Sequence, residues 1–158
     1  MRKSDDDDRD AMSRFNEALK RRDEGDYPGA IAMLRELAEK RPTDAAIVGM
    51  LAGLEVCVDD FANAVEHGRR AVQLSPSSEL ASTALFHALF GAEDIEGAFA
   101  ELARFRRLTE SAEYEQILSE LESDTLRDTA TQPEDQFLKQ LLGLIRQEVA
   151  ERPLRHGR

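Results

Sequence analysis

The run Gly25-Asp26-Tyr27-Pro28-Gly29-Ala30-Ile31, closed downstream by Pro42, joins an acidic turn to an apolar helical stretch and ends on a residue that stops helices. Stepping outward from it at intervals of 34 brings residues 11–44, 45–78 and 79–112 into register. The turn acid recurs as Asp26, Asp60 and Asp94, followed each time by a bulky apolar residue: Tyr27, Phe61 and Ile95. A small residue comes next, as Ala30, Ala64 and Ala98, and then an apolar one, as Ile31, Val65 and Phe99. Further along, Leu37, Ala71 and Phe105 align. Pro42 and Pro76 close the first two segments, where the third has Glu110. Two antiparallel helices joined by a short turn bring small side chains into contact, so the alanine column, with Ala18 and Ala52 on the facing helices, fits close packing. The third segment carries Phe86 where Ala18 and Ala52 stand.

These columns resemble the tetratricopeptide repeat, a helix–turn–helix unit of about 34 residues, over about 100 residues of the chain; the Trp usual near the repeat's start is replaced by Arg14, Val48 and Ser82. The resemblance implies an all-α fold: a right-handed superhelix of three helix–turn–helix units that with a cap helix makes a domain over 10–122, the C-terminal capping helices completing it. It also implies that the first helix of each repeat lines a concave groove. The equivalent columns here are Met12, Ala46 and Leu80; Phe15, Gly49 and Thr83; Leu19, Gly53 and His87; Arg22, Val56 and Phe90. Family members that grip a peptide's terminal carboxylate use Lys, Arg and Asn at defined groove positions. The matching residues here, Phe15, Leu19, Met50, Leu80 and Ala84, are neither basic nor amides, so recognition of that type is not expected. The groove reads as small and apolar. Glycines in its middle repeat admit a closely approaching backbone, which favours an extended or helical apolar segment as ligand.

Local chemistry sets the helix limits. Asp10, Asp44 and Ser78 can cap helices by accepting from first-turn amides, and the prolines stop the helices that precede them. The expected spans are 10–24, 28–40, 44–57, 61–73, 78–90 and 95–107. From Ser111, the apolar residues Tyr114, Ile117, Leu118 and Leu121 share one helical face, which predicts a helix over 111–122 that caps the last repeat. Residues 123–132 have little apolar content and no periodicity and read as a linker. Pro133 suits the first turn of a final amphipathic helix over 133–151, striped by Phe137, Leu138, Leu141, Leu142, Leu144, Ile145 and Val149. That stripe must be buried by completing the cap, by folding into the groove, or by packing on a second copy. A monomer and a homodimer through 133–151 are both open. Residues 1–9 and 152–158 are expected to be disordered ends.

Composition bounds the chemistry. The 158 residues carry 21 basic and 32 acidic side chains, a net charge of -11, and 41% hydrophobic residues. Such a chain buries roughly two-thirds of its unfolded surface without disulfides or metals. The single Cys57 excludes an internal disulfide framework. The acidic balance argues against nucleic acid and anionic membranes as partners. No stretch reads as a secretory signal or a membrane span, so a soluble, cytoplasmic protein is expected. His67, His87 and His156 fall at no metal-ligand spacing, and neither a nucleophile elbow nor a phosphate-cradling glycine loop is present. No catalytic residue, cofactor or metal is therefore expected.

Function then rests on surfaces, and a non-catalytic interaction module, an adaptor or assembly factor binding a protein or peptide, is the leading expectation. Size, repeat number and acidity also resemble the small bacterial chaperones of secreted translocators, which hold an apolar stretch of their client. A toxin-neutralising immunity protein is a further alternative, because most of the excess charge is local: residues 110–135 carry nine acids and one base. Within them Glu113, Glu115, Glu120, Glu122, Asp124 and Asp128 form a candidate acidic docking patch for a basic partner.

Overall fold

The computed structural model describes residues 2–151, with side chains from Asp5 onward. Eight helices and no strand occur among them: α1 (Arg2–Asp23), α2 (Tyr27–Lys40), α3 (Ala45–Cys57), α4 (Phe61–Leu74), α5 (Glu79–Gly91), α6 (Ile95–Arg106), α7 (Ala112–Thr131) and α8 (Gln136–Ala150). They divide into two compact units, one ending at Phe105 and the other beginning at Arg106.

In the first unit the period of the sequence becomes a period of backbone geometry. Gly25, Asp59 and Glu93 occupy the same place in successive repeats, and all three have positive φ, at 82°, 59° and 64°. This left-handed residue reverses the chain, and the next residue starts a helix. The Asp26 carboxylate accepts from the Gly29 amide at 3.0 Å, and that of Asp94 accepts from the Gly97 amide at 3.0 Å. Asp60 instead accepts from the side-chain amide of Asn63, which stands in the glycine column. The longer turns are closed by Asp44, accepting from the Ala46 and Ile47 amides, and by Ser78, accepting from that of Ala81.

The alanines of the contact columns, Ala18, Ala30, Ala52, Ala64 and Ala98, are all fully buried. Around them Ile31, Leu34, Leu37, Ile47, Leu51 and Leu54 make one apolar cluster shared by α2 and α3, with Ala18 from α1. Each buried leucine or isoleucine contributes roughly 1.5–3 kcal/mol. The third pair of helices absorbs its larger residue by filling space with rings. Phe86 is 1% exposed, edge-on to Phe99 at 6.0 Å and stacked on Phe90 at 5.9 Å.

Three expectations need correction. Helix α1 begins at Arg2 rather than after a disordered 1–9, so Asp10 lies inside the helix and caps nothing. Acids near a helix start are favoured by its dipole, and Arg41 at the end of α2 pairs with Asp8 and donates to the Asp7 carbonyl. The proposed linker at 123–132 is helical as far as Thr131, with Thr125 buried. Low apolar content alone suggests a break there, but the stretch holds no Gly or Pro, so nothing in it stops a helix. Pro133 lies in the turn between α7 and α8 and not in the first turn of α8, which Asp135 caps by accepting from the Leu138 amide. The tail 152–158 lies outside the described residues.

In the second unit α7 and α8 pack on each other. Leu138, Leu141, Leu142 and Ile145 of α8 are buried, as are Tyr114, Ile117 and Leu118 of α7. Glu148, also buried, is held by Arg106, which donates to its carboxylate at 3.2 Å and its carbonyl at 2.8 Å.

Candidate functional site

Helices α1, α3 and α5 carry the groove columns. Met12 and Leu80 are strongly exposed for apolar side chains, at 61% and 43%. Phe15, Leu19, Val56 and Phe90 are half-buried, their apolar faces partly open to solvent. A pocket of about 130 Å³ lies between α1 and α3, where Met12 and Phe15 meet Ala46 and Ile47. Arg22 lies across the same pair of helices, its guanidinium 3.6 Å from the Met50 sulfur. Thr83 is half-buried, its hydroxyl donating to the Glu79 carbonyl at 2.9 Å. His87 is exposed and edge-on to Phe86 at 5.3 Å.

The two glycines differ. A side chain at Gly53 would meet no atom within 4 Å, so its backbone is open. Gly49 is buried, and a Cβ there would contact Ala71 at 3.7 Å and Leu80 at 3.9 Å. Gly49 thus faces the chain's own helices at ordinary contact distance, and not an open groove where a ligand backbone could approach.

The acidic residues of α7 split between the two flanks of its buried stripe. Helical spacing puts Glu113, Glu120, Asp124 and Asp128 on one flank, with Glu115 and Glu122 across from them. Glu115 pairs with Arg106 at 3.2 Å and Asp124 with Arg127 at 3.2 Å, while Glu120 accepts from Gln116 at 2.8 Å. Local partners thus take up part of the charge that the sequence placed there.

Sequence reading missed a buried ionic cluster in the first unit. Glu55 of α3 is fully buried; Arg35 of α2 donates to one of its carboxylate oxygens at 2.9 Å, and His67 Nδ1 of α4 lies 2.7 Å from the other. Arg35 also reaches Asp60 at 3.1 Å. The hydrogen bond to Glu55 raises the pKa of both His67 and Arg35. Asp60 is held below the usual carboxylate range, chiefly by the Asn63 side-chain hydrogen bond. One signal could have revealed the cluster: Glu55 is the sole charged residue of an otherwise apolar helix. Among the described residues no group of three or more His, Cys, Asp or Glu is placed to hold a metal ion, and no helix is long and apolar enough to cross a membrane.

No protein-family model and no curated protein matches the sequence. Solved structures do. The chain is similar to the first TPR of Spaghetti (RPAP3) bound to the HSP90 peptide SRMEEVD, at 18% identity over 89% of this chain and 94% of that one, with a TM-score of 0.59. The first TPR domain of human RPAP3 gives 18% identity, coverages of 90% and 94%, and a TM-score of 0.58. The Yersinia enterocolitica type III secretion translocator chaperone SycD gives 11% identity, coverages of 88% and 93%, and a TM-score of 0.64. At such identities the likeness is one of fold. The repeated helix pairs form a tetratricopeptide-type fold.

Proposed function

We propose that the protein is a non-catalytic interaction module of the cytoplasm that takes an apolar peptide or helix on the surface of α1, α3 and α5. The observation that carries this reading is the open pocket in which Ala11, Met12, Phe15, Ala46 and Ile47 form an apolar surface beside Asp8, Arg41 and Asp44, with Leu80 exposed further along the same columns. Exposed apolar side chains clustered in a concavity mark docking sites, because leaving them in water is unfavourable. The Spaghetti domain was solved with a peptide, which supports a peptide-binding role for this fold. The ligand proposed here is of a different kind. Phe15, Leu19, Met50, Leu80 and Ala84 offer a peptide no positive charge and no side-chain amide.

A second reading is favoured by the likeness to a translocator chaperone: the client would be the apolar stretch of a secreted membrane-inserting protein, held until export. Both readings are tested by affinity capture with mass spectrometry, comparing the native chain with Leu19→Glu and Phe90→Glu. A partner retained by the native chain and lost from both variants, with helicity unchanged by circular dichroism, is the expected result. If no partner is captured, or if both variants retain it, the proposed surface is wrong. A translocator among the captured proteins selects the second reading.

A further inference from the structure

An open cleft of 870 Å³ runs between α2 and α4, on helices that contribute nothing to the surface proposed above. Val48 and Leu51 of α3 form its floor, and Ala38 and Val65 line its walls. Arg69 and Arg70 stand at its mouth, exposed, beside Glu39 and Glu66. Among the other described arginines of α1 and α2, Arg14, Arg21 and Arg35 each hold a carboxylate, as does Arg41 just beyond α2, and Arg9 does not. Arg69 and Arg70 hold none among the described residues, although Glu66 precedes them by one helical turn, a spacing at which pairs readily form. The acid beneath the cleft, Glu55, is already taken by Arg35 and His67.

We infer that this cleft is a second docking site, for a peptide segment of a partner protein that carries carboxylates beside short apolar side chains. The two guanidiniums hold no carboxylate of this chain and offer forks that match carboxylates, and the floor below them is apolar. Both halves of the ligand's chemistry follow from this. Nucleic acid fits less well, because its affinity grows with the number of phosphates neutralised; two arginines flanked by Glu39 and Glu66, on a chain of net charge -11, neutralise few. A second copy of the chain would bring its own -11 against the first.

The test is a library of twelve-residue peptides displayed against the full chain, counter-selected against the double variant Arg69→Glu/Arg70→Glu. Both arginines are exposed, so the variant is expected to keep its fold and its circular dichroism spectrum. Expected are peptides rich in Asp or Glu with interspersed Ala, Val or Leu. Measured by fluorescence anisotropy, they should bind the native chain at least ten-fold more tightly than the double variant, weaken with salt, and bind Leu19→Glu undiminished. The inference is overturned if no peptide distinguishes the native chain from the double variant, or if the enriched peptides are neutral or basic. Binding lost in Leu19→Glu instead, a labelled oligonucleotide that binds through Arg69 and Arg70, or a salt-sensitive dimer abolished by the double variant would overturn it equally.

Discussion

Glu55 and His67, contributed by α3 and α4, meet with the imidazole Nδ1 2.7 Å from a carboxylate oxygen that is wholly removed from solvent. The contact ties the two helices of the second repeat together by charge, and Arg35 of α2, donating to the same carboxylate, extends the tie to the first repeat. It also makes stability depend on pH.

His67 has its folded-state pKa raised, first by its hydrogen bond to Glu55, with Glu66 adding to the effect and burial and Arg35 opposing it. A raised histidine pKa stabilises the fold fully below the unfolded value of about 6.5, and that stabilisation is lost as pH rises through the folded value. The urea midpoint of the native chain should therefore fall between mildly acidic and alkaline pH. His67→Gln should flatten that slope; an equally steep profile in the variant would remove His67 as its source.

Arg35→Ala leaves the buried carboxylate of Glu55 to His67 alone and also releases Asp60. Arg35 is half-exposed, so the cost should fall below that of breaking a fully buried pair, at about 2 kcal/mol by chemical denaturation. Arg35→Lys should recover only part, because one ammonium cannot reproduce the fork shared between Glu55 and Asp60.

Gly68 sits where α4 meets α5, and a Cβ there would lie 3.0 Å from the backbone Cα of Leu85. Gly68→Ala must push the helices apart and should cost about 1–2 kcal/mol despite alanine's better helix propensity. A variant as stable as the native chain by thermal melting would show that the approach is looser than this geometry.

Glu93 holds φ at 64°, in the place where the first repeat has Gly25. Glu93→Gly should raise stability by about 0.5–1 kcal/mol by removing the steric cost of a side chain in the left-handed region. Gly25→Ala should lower it by a similar amount, and the two melting shifts should have opposite signs.

The continuity of α7 can be probed at Asp124, an exposed residue in the stretch that reads from sequence as a linker. Asp124→Pro should cost about 3 kcal/mol and reduce helicity, since proline removes a backbone donor and clashes with the preceding turn. A linker would accept the substitution with little change in either measurement.

The repeated helix pairs are legible in the residues alone, because the features that make them are local and periodic: a capping acid, a small residue at each contact, a proline after the helix. The sequence also placed the repeat helices close to their observed limits, except at the start of α1, which lies eight residues earlier than expected. It misplaced the break in the second unit because apolar content and helix stopping are separate properties. Residues Ser123 to Thr131 lack the first and contain nothing that does the second. Tertiary structure alone decided the pairing of Arg35, Glu55 and His67, which are distant in sequence and meet only once three helices pack. It also decided the two fates of the middle-repeat glycines. Gly49 and Gly53 lie one turn apart on α3 with the same chemistry, yet neighbouring helices close over Gly49 and leave Gly53 open. Burial is a property of what packs opposite a residue, and a repeat pattern in one chain specifies which positions face a neighbour before it specifies how near that neighbour comes.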